Sequence, residues 1–136
     1  MKNIIIVMIA ILLSACGGDD LDINSLVGKW RLASMDGQAT ISAMRESGVT
    51  LEIQADGKFA GQAPVNRYFG QIRLEGKSIK TGPIGSTMMA GPQDMMDDEQ
   101  AYFRNLGETL QSASVENKQL VLIAADGKKL VFAKSE

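Results

Sequence analysis

Beyond residue 25 the chain breaks into short segments in which apolar and polar positions alternate, the period of a half-buried strand. Val27 to Met35 predicts a first strand with Trp30 and Leu32 on one face, and Asp36-Gly37 marks its turn. Ala39 to Ser47 is ambiguous, because Ile41 and Met44 suit either a helical turn or an irregular strand. Val49, Leu51 and Ile53 point inward and Thr50, Glu52 and Gln54 outward. Ala55-Asp56-Gly57-Lys58 then turns the chain into a strand carrying Phe59, and the same four residues recur at Ala125-Asp126-Gly127-Lys128. Directly opposed residues in a hairpin share a face, so parity constrains each loop. For Ile53 to oppose Phe59 the first loop must be odd, with three residues and Gly57 left-handed. For Ile123 to oppose Leu130, and Val121 to oppose Phe132, the second must be even, a two-residue Asp126-Gly127 turn. A third turn at Gly76-Lys77 sets Leu74 against Ile79. Leu120, Leu122 and Val131 then point away from Val121 and Ile123, which predicts a last hairpin apolar on both faces and central in its sheet.

One helical pattern follows, from Pro92 to Leu110. At about 100° per residue, Met95, Met96, Tyr102, Phe103, Leu106 and Leu110 fall in one stripe about 120° wide. Asp97, Asp98, Gln100, Arg104, Asn105 and Glu108 take the other side. Pro92 suits the first helical position, and Asp94 is a candidate cap. Glu99 breaks the pattern by falling in the middle of the apolar stripe. A carboxylate there must be paired, hydrogen-bonded or protonated. Candidate partners are the Arg67 side chain, the Asn66–Arg67 turn, and the amides or hydroxyls of Ser86 to Ala90. Glu99 is then either a structural acid or the buried acid of a binding pocket. The elements together predict an α+β fold: a curved, mostly antiparallel sheet or open barrel of seven to eight strands with one helix packed against it.

The first residues belong to another class. Met1-Lys2-Asn3, the apolar run Ile4 to Leu13 and the small residues after it describe a secretory signal over residues 1–15. The run is too short for a membrane-spanning helix, which needs about 20 residues. Leu13-Ser14-Ala15-Cys16 resembles the bacterial lipobox, which implies cleavage before Cys16 and lipid on its sulfur and new amine. Cys16 is the one cysteine of 136 residues, so no disulfide within the chain competes for it. By the sorting rule for such lipoproteins, Gly17 after the cysteine implies the outer membrane of a Gram-negative cell, with the domain facing the periplasm. Residues 16–25 read as lipidated cysteine and flexible tether, and 26–136 as one domain.

Composition narrows the chemistry. A net charge of −2 without a basic cluster argues against nucleic acid as a partner. There is no histidine, and the single cysteine is the proposed anchor, which removes histidine triads, thiol nucleophiles and the usual zinc sites. No cofactor or metal is expected. Asp94, Asp97 and Asp98 lack the spacing and glycine of a calcium loop. Met88, Met89, Met95 and Met96 cluster at the helix entry, where core filling is the first expectation and an adaptable apolar groove the second.

Three motifs stand in order: Asn66-Arg67-Tyr68-Phe69-Gly70, then Ser86-Thr87-Met88-Met89-Ala90, then Glu99 ahead of Phe103 and Leu106. With Trp30 in the first strand, they resemble the META domain, the family of HslJ-like heat-shock proteins of bacterial envelopes, from Leu26 to Lys134. Many members carry cysteines at the positions of Val65 and Gly91, and both are missing here, as expected of a lost disulfide. The resemblance implies an α+β domain and supplies no catalytic residues. It makes Asn66, Arg67, Tyr68, Ser86, Thr87, Met88, Met89 and Glu99 the candidate binding or structural cluster. The function expected first is a non-catalytic envelope lipoprotein supporting outer-membrane integrity or stress tolerance. The membrane is its partner through Cys16, and an envelope protein or apolar ligand is a further candidate. The alternatives are a pilotin-like chaperone or carrier of an apolar peptide or lipid, and an enzyme built on carboxylates such as Glu99.

Overall fold

The computed structural model describes residues 21–37 and 48–135. The signal, Cys16, the first tether residues and the whole ambiguous segment from Ala39 to Ser47 lie outside the described residues. Strands β1 (Gly28–Met35), β2 (Thr50–Ile53), β3 (Lys58–Gln62), β4 (Arg67–Glu75), β5 (Ser78–Thr81), β6 (Gly85–Ser86), β7 (Leu110–Glu116), β8 (Gln119–Ala124) and β9 (Lys129–Lys134) are joined by helices α1 (Ile23–Leu26) and α2 (Gln93–Leu106). Eight strands form one antiparallel path, β5-β4-β3-β2-β1-β9-β8-β7, and the two-residue β6 pairs with β4. The end strands β5 and β7 lie against each other, so the sheet curls into a nearly closed barrel. Thr81 Oγ1, at the end of β5, ties that strand to the end of α2 by donating to the Leu106 carbonyl at 2.7 Å. This is the curved sheet with one main helix that the alternation predicts.

The core lies between the inward face of the sheet and α2. Trp30, Leu51, Tyr68, Ile79, Leu120, Leu130 and Phe132 are buried from the strands, and Tyr102 and Leu106 from the helix. Tyr102 is the hub: its ring centroid lies 5.5 Å from Tyr68, 5.9 Å from Phe103 and 6.4 Å from Phe132, in tilted or edge-on pairs. The folded region begins before Leu26. Leu21 and Ile23 pack on the core, and Trp30 Nε1 donates to the Leu26 carbonyl at 2.9 Å. The tether expected over 16–25 is therefore shorter at its C-terminal end.

The first hairpin has the expected odd loop: Ile53 opposes Phe59, the Gln54 N–H closes on the Lys58 carbonyl, and Gly57 has φ +86°. Leu74 opposes Ile79 across Gly76-Lys77, also as expected. The even loop expected at Asp126-Gly127 is overturned. Leu122 opposes Leu130, Leu120 opposes Phe132, and Ile123 opposes Lys129. The loop is a second copy of the first, with Ala124 closing on Lys128 and Gly127 at φ +86°. Each turn is fixed locally by its aspartate, whose Oδ1 accepts the lysine N–H two residues on, at 3.0 Å for Asp56 and 3.1 Å for Asp126. Identical residues build the identical turn, and the register follows, so Leu120 and Leu122 face inward and Val121 and Ile123 are the half-buried outer face.

The helix also differs at its ends. It stops at Gly107, and Leu110 opens β7. Leu110 is buried as expected, from a strand. Pro92, not Asp94, occupies the cap position, without a side-chain bond. Asn105, assigned to the polar side, is 2% exposed, because a curled sheet covers more of the helix than a flat one does.

Candidate functional site

Between β3 and β4 the chain makes a turn, Ala63-Pro64-Val65-Asn66, in which every residue is buried. A buried turn must find partners for its backbone groups. Ala63 N–H donates to the Asn66 carbonyl at 2.8 Å. Gln62 Nε2 donates to the carbonyls of Ala63 and Val65 at 3.0 and 3.2 Å. The two remaining donors, Val65 N–H and Asn66 N–H, both point at Glu99 Oε1, at 3.0 and 2.7 Å. Asn66 Nδ2 donates to the other carboxylate oxygen at 2.8 Å. Glu99 is 8% exposed, and its place in the apolar stripe is explained: the helix presents it to a loop that lacks acceptors.

Asn66 passes the linkage on. Its Oδ1 accepts from Thr87 Oγ1 and from Met89 N–H, both at 2.8 Å, and its Nδ2 also donates to the Met89 carbonyl at 3.2 Å. All four hydrogen-bonding positions of the amide are thus used. Thr87 Oγ1 accepts the Arg67 N–H at 3.2 Å, and Thr87 N–H donates to the Arg67 carbonyl at 3.0 Å. The helix, the β3–β4 turn and the segment after β6 are joined through one carboxylate and one amide. These include the two segments whose cysteine positions are Val65 and Gly91 here.

Tyr68 belongs to a second network on the same strand. Its hydroxyl donates to the Thr50 carbonyl at 2.6 Å and accepts from the Tyr102 hydroxyl at 2.5 Å. Burial pushes both hydroxyls above their ordinary value of 10.0; for Tyr68 the neighbouring Tyr102 adds to the rise, whereas for Tyr102 the bond to Tyr68 opposes it. Gly61 makes room for this arrangement, since a Cβ there would lie 2.0 Å from the Thr50 carbonyl oxygen and 3.0 Å from the Tyr68 hydroxyl. Phe59 lies on Gly70 and Phe69 on Gly85 across adjacent strands in the same close way.

Of the candidate residues, Asn66, Thr87, Met89 and Glu99 meet directly, Met89 through its backbone. Ser86 is half-buried and pairs with Tyr68 in the sheet. Arg67 contributes its backbone while its residue is exposed. Core filling fails for the next two: Met88 is 93% exposed and Met89 55%, while Met95 and Met96 are half-buried. Sequence reasoning missed Gln62 and the Tyr102 hydroxyl. A run of buried loop carbonyls after Gln62 is the signal that would have found the first. Among the described residues, no three His, Cys, Asp or Glu side chains gather as a metal site would require. Two larger depressions lie elsewhere. One of about 780 Å³ sits beside Leu21, Ile72 and Leu74, and one of about 670 Å³ between Ile84 and Phe103.

The family described as META domain matches residues 24–136. A solved structure, an NMR structure of a protein from Burkholderia xenovorans, aligns with a TM-score of 0.62 at 23% identity, covering 86% of this chain and 90% of that one. A second NMR structure aligns at 0.61 with 18% identity, over 79% of this chain and 88% of that one. At these identities the likeness is one of fold. No curated protein matches the sequence.

Proposed function

The chain belongs to the META domain family, and from that premise we propose that it is a non-catalytic lipoprotein of the cell envelope that supports outer-membrane integrity or stress tolerance. One observation carries the non-catalytic reading. The buried acid of the family motif accepts three hydrogen bonds from Val65 and Asn66 and so acts as a bracket between segments. A general acid or base needs a proton path to a substrate, and these contacts lead to two backbone amides and one side-chain amide. The lipobox-like Leu13-Ser14-Ala15-Cys16 supports anchoring at the membrane. Among the described residues no helix is long and apolar enough to cross a membrane.

The test is a deletion strain challenged with detergent and with large antibiotics that an intact outer membrane excludes. The wild-type chain restores resistance, and Cys16→Ser, which takes no radioactive palmitate, does not. Unchanged permeability in the deletion strain removes the integrity role, and palmitate labelling of Cys16→Ser removes the anchor.

A further inference from the structure

The outer face of β4 has the composition of a surface that meets something. Tyr68 points inward to α2, so Phe69 points the other way, and it is 63% exposed. Met88 and Met89 stand at the same end of β4, because Thr87 is bonded to Arg67 and Met89 to Asn66. Met88 is therefore held out from a backbone pinned on both sides. A pinned apolar side chain loses little conformational entropy when a partner covers it. Further along the same face come the exposed Arg73 and Lys80, which are cross-strand partners. Their contacts to Glu75, at 2.9 and 3.9 Å, are between exposed groups and hold them weakly. The exposed acids Asp94 and Asp97 lie on α2, which packs on the inward face of the sheet, whereas Glu108 shares a depression with Lys80 at the edge of β5.

The start of the folded chain is tied to this face. Leu21 N–H donates to the Gly76 carbonyl at 2.9 Å, at the turn that ends β4. Cys16 is five residues earlier in the sequence, a reach of at most about 17 Å. β4 has nine residues, a length of about 30 Å. A lipid on Cys16 therefore keeps the Gly76 end of β4 within about 17 Å of a bilayer, and the far end reaches the same surface only when the strand lies along it.

We propose that this outer face of β4, from the tether root at Gly76 to the corner formed by Phe69, Met88 and Met89, is a membrane-contact face. It lays the domain along an anionic bilayer, with Arg67, Arg73 and Lys80 at the lipid phosphates and Phe69 and Met88 in the interface. Cations beside exposed apolar side chains match an anionic, half-apolar surface, and the acids of the helix side face away from it. The proposal rests on the lipoprotein reading of Cys16.

Lipidation blocks Cys16, so a single introduced cysteine carries a unique label in the whole lipidated chain. Gln71→Cys places a fluorophore on the outer face of β4, and Asp97→Cys places one on α2. Each chain is reconstituted in vesicles of phosphatidylethanolamine and phosphatidylglycerol that carry a nitroxide-labelled lipid as quencher. Quenching is expected to be several-fold stronger at Gln71→Cys, and to weaken in phosphatidylcholine vesicles. Arg67→Gln should lower the contact equilibrium about fivefold, as one cation near such a surface is worth about 1 kcal/mol. Equal quenching at both positions, or contact indifferent to phosphatidylglycerol, overturns the face while leaving a palmitate-labelled Cys16 and the lipoprotein reading intact. A Gln71→Cys signal that depends on protein density in the vesicle makes the face an interface between copies and also overturns it. A Cys16 that takes no palmitate sinks the anchor and the proposal together.

Discussion

Glu99→Ala removes the acceptor of three hydrogen bonds at once. The Asn66 amide keeps its bond to Met89, but Val65 N–H and Asn66 N–H are left facing the vacated space. A buried donor without a partner costs about 1–3 kcal/mol, so two give about 2–6 kcal/mol, with the lower value where water enters behind the alanine. Glu99→Gln tests the geometry more sharply. Its carbonyl can take both backbone N–H groups, but its NH₂ then faces Asn66 Nδ2, donor to donor. Asn66 cannot turn over, because Thr87 and Met89 hold its oxygen. The glutamine should therefore cost about 1–2 kcal/mol, for one bond lost and one repulsion gained. Urea melts of the chain from residue 17 onward read both values. With a urea slope of about 1–3 kcal/mol per molar, the alanine midpoint should fall by roughly 1–3 M at unchanged slope. Asn66→Ala and the double variant complete a cycle, and the two losses should overlap heavily, since they break the same bonds. A Glu99→Ala midpoint equal to wild type, or a glutamine worse than the alanine, would refute the bracket.

Three further outcomes follow from the same geometry. Tyr68 and Tyr102 are the two tyrosines of the chain, and their folded hydroxyls are held above the ordinary value near 10. Stability from this pair is fully present below about pH 10 and falls above it by up to about 1.4 kcal/mol per pH unit per tyrosine, as the unfolded chain ionises first. Tyrosinate absorbance should thus appear only with alkaline unfolding, and its appearance in a still-folded protein would contradict the buried pair. Gly61→Ala should destabilise by about 1–3 kcal/mol in a thermal melt, since its Cβ meets the Thr50 carbonyl oxygen at 2.0 Å; an unshifted melt would mean β2 and β3 part easily there. Asn105, buried with neither amide atom bonded among the described residues, should accept leucine with no loss or a gain of up to about 2 kcal/mol; a loss beyond about 1 kcal/mol would reveal a partner such as a bound water.

What the sequence made legible depended on how local each signal was. Glu99 was found because helical period alone places it among apolar neighbours, and a misplaced carboxylate demands donors wherever it sits. Ile53 against Phe59 was found because the alternation and the turn agreed. At Ala125-Asp126-Gly127-Lys128 they disagreed. Setting Ile123 against Leu130 and Val121 against Phe132 was an argument from apolar pairing alone, which Leu122 and Leu120 satisfy equally well. The aspartate-to-lysine bond and left-handed glycine were a strong argument about backbone, and the backbone decided. Leu110 was misassigned for a related reason. It sits in the helical stripe by arithmetic, but Gly107 ends the helix, its N–H taken by the Phe103 carbonyl at 2.8 Å.

The same limit explains Asn105 and the methionines, and it shifts where function should be sought. A wheel assigns one side of a helix to the core, whereas a barrel that nearly closes wraps further, and Asn105, about 60° outside the stripe, is caught. Apolar character assigns a methionine to the core, whereas Met88 follows a residue whose hydroxyl and amide are both committed to Asn66 and Arg67, and its backbone leads outward. The residues that look most like a site in the sequence, Asn66, Thr87 and Glu99, are spent on one another. Their hydrogen bonds join three segments, and the backbone they hold leaves Met88 and Met89 exposed, as Phe69 is. The polar residues of the motif thus account for the local shape, and the exposed apolar side chains they hold at the surface, Met88 and Met89, belong to the contact face we propose.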